Sequence, residues 1–584
     1  MCIRLAGDLF KTSDFIQCQK VILAVSGGSD SLALLFLVKD HFKTLSAAPE
    51  IIAVTVDHQL RRESAREALT VAEICHAHRI KHSIVRWEGE KPKTHIASSA
   101  RMARYNLLFE EAQKQGATLI MTGHTLNDQV ETYQMRYQRL QKDIEERRQP
   151  AVADRLGGNY ARASAGVLSA EVFEGMRGRT SSREGEEQSA TLIMTGHTLN
   201  DQVETYQMRY QRLQKDTEER WQPAVADRLG GGYARASADV LSAEVFEGMR
   251  GRTSSREGEE QSAQKMCLMA EKDDGLMYAR GLSCIPRESL LCREIRLIRP
   301  LLGVKRQTLR TYLHLKGKRW IDDPTNEDRN FERVRVRQSL QQKKQSLQQK
   351  KFVEIGQRVH EAALKRRQQV KIVADLILAL DIAVAYGRCV IAKPASFLQQ
   401  HPSFPFVVGL FAVLMGGGSY LLPAQKLKVL AQKLCLHASE KQRFTLAGAV
   451  IESNRSGIAL WRESRNMKEE IVESGKTSLW DGRYQITNHG GEPIKVGAAG
   501  LTQLKALLQK SALDLENPHF PSLQSLLMLS NDKGYAIPEL ISQNLSFPNV
   551  HIKRIMAPFD WLLSREDAAL VHVVEPFFNI EVER

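Results

Sequence analysis

The sequence predicts an α/β protein: a doubly wound parallel sheet, followed by a helical domain and a small mixed α+β domain. Three observations point there. Short apolar runs alternate with helical stretches through the first 125 or so residues; a glycine-serine turn follows one of those runs directly; and after about residue 340 the alternation gives way to helical patterns and then short strands.

The opening strand is Val21 to Val25, a β-branched, wholly apolar run such as a central parallel strand shows, and the helix Leu32 to Val38 begins just after it. Between them stands SGGSDS, Ser26 to Ser31. Two adjacent glycines let the backbone turn sharply, and Ser and Asp side chains cap the helix, leaving backbone N–H groups at its positive end: an anion site, with phosphate the natural guest. Further strands are expected at Ile51 to Val56, His82 to Trp87 and Thr118 to Thr122, with helices near Arg62 to His78 and Ser98 to Gln115. Ligands of such a sheet sit beyond the carboxyl ends of its strands. Asp57-His58 lie at one of those ends, His124 and Asp128 at another.

At 584 residues the chain has room for three or four domains with real cores. The longest apolar run, Phe406 to Met415, stops at three glycines, well short of the ~20 residues of a membrane-spanning helix. Asp8 and Lys11 interrupt the apolar core a secretory signal would need, so a cytoplasmic protein without a membrane partner is expected. The eight cysteines form no CxxC pair and no zinc-ligand spacing, and read as reduced structural thiols.

The net charge is +14, and it is concentrated: Arg280 to Lys351 holds nineteen Lys or Arg against seven Asp or Glu. Arginine dominates the run, with Arg299, Arg306, Arg310, Arg329, Arg333, Arg335 and Arg337 among its members, and guanidinium forks match phosphate oxygens. RNA contact is the functional reading, a solvated charged face the plainer one.

Residues 118–190 and 191–263 are one 73-residue unit present twice, with four differences. Near-identity in two copies indicates a recent duplication, since a solenoid needs at least three diverged units. The second half of each unit is rich in Gly, Ser, Arg and Glu and buries little; a compact domain tolerates such an insertion because closure entropy grows only logarithmically with loop length. A shorter repeat, QSLQQKK at 338–344 and 345–351, adds two helical turns with a phase drift of only ~20°.

SGGSDS lacks the GK[ST] ending of a Walker loop and is not a GxGxxG dinucleotide turn. It resembles the PP-loop of ATP pyrophosphatases. In order along the chain follow VDHQLRRES (Val56 to Ser64), ARMARY (Ala100 to Tyr105), GHTLNDQVET (Gly123 to Thr132), RPLLGVKRQTLRTYL (Arg299 to Leu313) and IDDPTNEDRNFERVRVR (Ile321 to Arg337). Together they resemble the tRNA(Ile)-lysidine synthase family, whose members carry VDHGLR, ARxxRY, HxxDDQxET, RPLL and DPSN with an Arg-rich tail; the likeness runs from residue 20 to about 340.

The resemblance implies that ATP adenylates C2 of the cytidine at the first anticodon position of tRNA(Ile), and that free L-lysine displaces AMP through its side-chain amine. Ser26, Gly27, Gly28, Ser29, Asp30 and Ser31 would then hold the nucleotide, with Asp57 and His58 reading adenine or ribose. Asp30 among phosphates implies Mg²⁺, against the plainer reading of a helix cap. Asp128, with Glu131 beside it, would receive or orient the amine, and if the stretch is helical His124 shares a face with Asp128. Arg101 and Arg104 would neutralise the α-phosphate. Two departures stand out. Asn127 replaces the first Asp of the family's DDQ, and the family's RGSG survives only as RGLSC, Arg280 to Cys284. The duplication also leaves a second HTLNDQVET at His197 to Thr205, with Asp201 in place of Asp128; the first copy is favoured because its strand forms next to its own preceding helix.

The expected domains are therefore 1–340, nucleotide-binding and catalytic; 341–440, helical and tRNA-binding; and 441–584, mixed and gripping the acceptor arm. Homodimerisation is left open. The rival readings are a PP-loop tRNA thiolase, disfavoured by the lack of paired cysteines, and an inert tRNA-binding protein whose duplication has spoiled the site.

Overall fold

A computed structural model describes residues 9–92, 94, 96–148, 280–323, 327–341, 345–436, 441–510, 518–540 and 547–578. The second motif copy at 197–205 and the Pro-Thr-Asn of the DPTN motif lie outside the described residues.

The amino-terminal part alternates as expected: β1 (Lys20–Ala24), α1 (Ser29–Phe42), β2 (Glu50–Asp57), α2 (Ser64–Ala77), β3 (Lys81–Arg86), α3 (Ile96–Gln115), β4 (Leu119–Thr122) and α4 (Leu126–Arg148). A hairpin, β5 (Glu288–Leu291) and β6 (Ile295–Ile298), follows, then α5 (Arg306–Leu315), α6 (Glu332–Gln341) and the 35-residue α7 (Gln345–Ala379). β1 is central. It pairs in parallel with β2 (Val21 opposite Ile51) and with β4 (Val21 opposite Leu119), while β6 adds in parallel beyond β4 and β3 beyond β2. Buried on both faces, β1 contributes Val21 and Leu23 to one core layer and Ile22 to the other. The strand that pairs with β1 comes from the first copy of the duplicated unit.

Two expected boundaries change. The middle region opens after α7 with the hairpin β7 (Ile382–Ala385) and β8 (Arg388–Ile391), inside the span 341–440 expected to be helical. Then come α8 (Phe404–Gly416), α9 (Ala424–Leu436), β9 (Gln442–Leu446), β10 (Ala449–Ser453) and β11 (Ile458–Arg462). These strands make one sheet in the order β7-β8-β11-β10-β9, so a cut at residue 440 would divide it. The reason is α8: Phe404 through Met415 are all buried, and a helix apolar all round needs cover on every side, which α7, α9 and this sheet supply.

The second change is at the end. Beyond β12 (Glu470–Val472), β13 (Thr477–Trp480), β14 (Tyr484–Asn488), β15 (Ile494–Ala498), α10 (Leu501–Lys510), β16 (Leu527–Asn531), β17 (Gly534–Ala536) and β18 (Val550–Arg554), the chain returns to the amino-terminal sheet. β19 (Leu562–Ser564) pairs antiparallel with β5 and completes a seven-stranded sheet, β19-β5-β6-β4-β1-β2-β3. α11 (Ala568–Val574) buries Leu570, Val571 and Val574 in the core around α7 and α8. The last described residues thus pack on the amino-terminal sheet and the middle region, covering an open edge strand and an apolar helix face.

Candidate active site

The turn after β1 is shaped by its glycines. Gly27 has φ +85°, and a Cβ there would lie 2.8 Å from Ile321 Cδ1, whose own backbone N–H donates to the Gly27 carbonyl at 2.9 Å. Gly28 caps α1 without a side-chain acceptor, so the first amides of the helix stay available. Ser31 Oγ donates to the Gly28 carbonyl at 3.0 Å and accepts from the Ser26 N–H at 3.2 Å, which fixes the turn from within. Ser29 and Ser31 are buried. The chemistry of this donor set suits a polyphosphate.

β4 leads into the facing wall. Gly123, which the sequence reading passed over, is the point of closest approach: a Cβ there would sit 2.9 Å from the Asp30 carbonyl oxygen. The signal was its place directly after a buried strand. His124 precedes α4 and is not on its face, which corrects the expected helical pairing with Asp128. Asp128 is the third residue of the helix. Its Oδ2 accepts from the backbone N–H and the hydroxyl of Thr125, each at 2.9 Å, half of a capping box that pulls the carboxylate back toward the loop holding His124.

The crevice is charged on both sides. Arg306, at the start of α5, donates from Nε to Asp30 Oδ2 at 2.8 Å; its Nη2 lies 3.8 Å from Asp128 Oδ2 and its Nη1 3.9 Å from Glu131 Oε1. One guanidinium therefore faces three carboxylates. Arg337 binds Glu131 at 2.8 Å, and Arg333 approaches both Glu131 (3.4 Å) and Asp128 (3.9 Å). Burial raises the Asp30 carboxyl, with Arg306 opposing. For Asp128 burial also works upward and is outweighed by its neighbours, so it stays ionised. His124 is pushed down to about 3, by burial first and then by Arg299, and is neutral near pH 7; its Nδ1 lies 2.9 Å from Thr122 Oγ1. With His124 neutral, the ionisation of Asp128 rests on Arg306, Arg333 and the Thr125 N–H.

The remaining candidates divide. Arg101 donates to the Tyr105 hydroxyl at 3.3 Å, and Arg104 is exposed; both reach His124 electrostatically. Asp57 closes its own turn, accepting from the Gln59 N–H (2.9 Å) and the Ser64 hydroxyl (2.7 Å), the plainer of its readings. His58 packs edge-on to Trp87, and its buried Nδ1 has no partner among the described residues; burial and Arg104 push it down to about 4.

The arginines of the basic segment divide among scaffold, crevice and surface. Arg299, expected to contact RNA, is 1% exposed and donates to the Pro286 carbonyl (2.8 Å) and the Ser289 hydroxyl (3.1 Å): it is scaffold, placed beside Tyr105 and His124. Arg306, Arg333 and Arg337 line the crevice, and Arg310 lies over Trp320 with Nε 3.4 Å from Ser29 Oγ. Arg329 and Arg335 are exposed. The fold-back follows from the apolar faces of α5 and α6: Leu309 and Leu313 join the core under α1, while Val336 and Leu340 pack against Val130 and Tyr133 of α4.

Three further residues shape the site in ways their sequence positions did not indicate. Gln129 donates to the Ile285 carbonyl (2.8 Å) and accepts from its N–H (2.9 Å), tying the chain after the insertion back onto α4. Asn127 Oδ1 accepts from the Arg306 N–H at 3.0 Å, capping α5 from outside. Tyr105, buried, has its ionisation opposed by burial but favoured more by Arg299 and Arg101, to about 8.

A strand-turn-helix that presents free amides, faced across a crevice by carboxylates and arginines, defines a nucleotide-using enzyme of the PP-loop class, and residues 5–144 and 259–344 match the PP-loop domain family. The matched residues hold the first motif copy and skip the second. The tRNA(Ile)-lysidine synthase of Bartonella henselae is 62% identical over 584 residues, all of both chains, and that of Bartonella quintana 61% over the same span. The Brucella suis enzyme of that name is 27% identical over 573 residues, 97% of this chain and 96% of its own. Among solved structures, the U34-tRNA thiolase NcsA of Methanococcus maripaludis matches 25% of this chain and 50% of its own at 19% identity, with a TM-score of 0.22. The chain belongs to the tRNA(Ile)-lysidine synthase family.

Proposed function

We propose that this chain joins L-lysine to C2 of the anticodon cytidine of tRNA(Ile) at the expense of ATP, and that the crevice between the SGGSDS turn and α4 performs both steps. The carrying observation is Arg306, whose one guanidinium faces Asp30, Asp128 and Glu131 and so joins the phosphate cradle to the acidic wall.

In the first step the cytidine O2 attacks the α-phosphorus of ATP and pyrophosphate leaves. The amides at the head of α1 and the hydroxyls of Ser29 and Ser31 hold the departing phosphates, with Arg101 and Arg104 offsetting the charge that develops on the α-phosphate. Asp30 is the residue that would hold Mg²⁺, a cation whose charge offsets that of the phosphates when bound; an oxygen-only ligand of this kind suits it. In the second step the lysine ammonium gives up one proton, the freed amine attacks C2, the C–O bond to AMP breaks, and the nitrogen's second proton leaves to solvent. Ionised Asp128, with Glu131 beside it, holds the incoming ammonium, and Asp128 is placed to take the first of those protons. Neutral His124 leaves the negative charge of this wall undiminished. The reading includes a cytoplasmic setting, and family membership favours it over the thiolase.

The test is incubation of the full chain with ATP, labelled lysine and tRNA(Ile) transcript. Lysine incorporation with AMP release is expected from the wild type. Binding of the tRNA without incorporation would replace the proposal with an inert RNA-binding module, and sulfur transfer from a donor in a parallel reaction would replace it with a thiolase.

A further inference from the structure

A second cavity, of about 570 Å³, lies outside the crevice, between α4, the segment 280–289, α7, the α8–α9 connection and β19. None of the SGGSDS residues lines it. Its walls combine Arg136, Arg139, Arg280 and Arg366 with Phe406 and Tyr420, and no carboxylate lines it. Two carboxylates stand behind these four guanidinium groups: Asp567 is shared by Arg280 and Arg366 (2.5 and 2.6 Å), and Glu332 pairs with Arg139. Arg136 donates to the Gly281 carbonyl at 2.5 Å, and Arg280 Nη1 is buried with no hydrogen-bond partner among the described residues. The cavity thus carries a surplus of oriented donors. Tyr420 is 61% exposed at its edge, an aromatic face open to a planar partner.

From this geometry we infer that the cavity holds one unstacked nucleotide of the bound tRNA, its phosphate on Arg136 and Arg139 and its base against Tyr420. The proposal rests on the tRNA reading above. Size agrees, since 570 Å³ falls within the range of small-ligand pockets. Chemistry agrees as well: single-stranded RNA is gripped by arginine forks on the backbone and aromatic faces on the bases. Placement is the third argument. Arg136 follows Glu131 on the same helix by five residues, a rise of about 7.5 Å at 1.5 Å per residue, so the cavity and the acidic wall are carried by one stretch of α4.

The experiment measures tRNA(Ile) affinity of the full chain against salt concentration for the wild type, Tyr420→Ala, Tyr420→Phe and the double variant Arg136→Gln, Arg139→Gln, with thermal melts to confirm folding. Tyr420→Ala should weaken binding about tenfold with its salt slope unchanged, and Tyr420→Phe should restore it. The double arginine variant should reduce the log–log salt slope by about 1, one phosphate contact. Wild-type affinity and slope in all variants, from a protein that ligates lysine normally, would overturn the cavity assignment and leave the proposed reaction standing. A wild type that cannot ligate lysine would remove the reaction, whereas altered slopes in that same protein would still support the cavity.

Discussion

Two buried charge clusters in this chain are built differently. In the carboxyl-terminal half Asp481 is held by Arg462 (2.7 and 2.9 Å) and Arg483 (2.7 Å), and the other donors of those arginines end on the carbonyls of Gly448, Glu463 and Ser525. In the crevice Arg306 has three carboxylates but touches only Asp30 at hydrogen-bond distance, and Arg333 stands 3.4 to 3.9 Å from two of the same three. Attraction persists at such separations in a low-dielectric site, but no single geometry is locked. The closed cluster fixes a hairpin; the loose one, on the proposed reading, exchanges its partners for a triphosphate and an ammonium group. Completeness of hydrogen bonding separates scaffold from site here, more than burial or charge does.

That contrast breaks if matched substitutions act alike. Asp128→Asn should cut lysine incorporation about 10²- to 10⁴-fold, the range of a lost acid–base or charge-orienting group, while leaving the melting temperature close to wild type, because the amide oxygen still accepts from Thr125. Asp481→Asn should do the reverse: about 3–5 kcal/mol of stability lost, from leaving Arg483, 1% exposed on its side chain, without its counter-ion, and unchanged turnover per folded molecule. Urea melts beside single-turnover assays decide it, and a strongly destabilised Asp128→Asn would make the crevice a scaffold too. Next in size is Gly27→Ala, which meets Ile321 and a left-handed backbone together and should cost about 1–3 kcal/mol, with weaker ATP binding measured by titration.

The alternation of strands and helices, the SGGSDS turn and the order of motifs were legible because each depends on local pattern. What was not legible depended on where distant segments meet. Arg299 and Arg306 read alike in sequence, yet one is sealed under β5 and the other sits among carboxylates, since only tertiary packing decides which guanidinium finds carbonyls and which finds the site. The return of the chain's end to the first sheet was hidden for the same reason. Leu562 to Ser564 look like any short apolar run, and nothing local says that their partner is a strand 270 or so residues earlier. The shared helical face of His124 and Asp128 was conditional on a helix that begins only at Leu126; Asp128 is instead drawn back toward the His124 loop by its contacts with Thr125.

Asn127 sharpens the comparison at its finest grain. The family pattern places a carboxylate there, which invites a metal, but here the side-chain oxygen caps α5 by accepting the Arg306 N–H. An acceptor is all that this contact requires, and a carboxylate meets the need at least as well, since a negative charge at a helix start gains about 0.3–1 kcal/mol from the dipole. Asn127→Ala should therefore cost about 1 kcal/mol, the usual worth of a cap, and reduce turnover modestly by loosening Arg306. Asn127→Asp should keep both stability and turnover, and its Mg²⁺ concentration for half-maximal lysine incorporation should match the wild type. A several-fold drop in that concentration would show the position to be a metal ligand that this chain lacks, and the capping account of the substitution would fail.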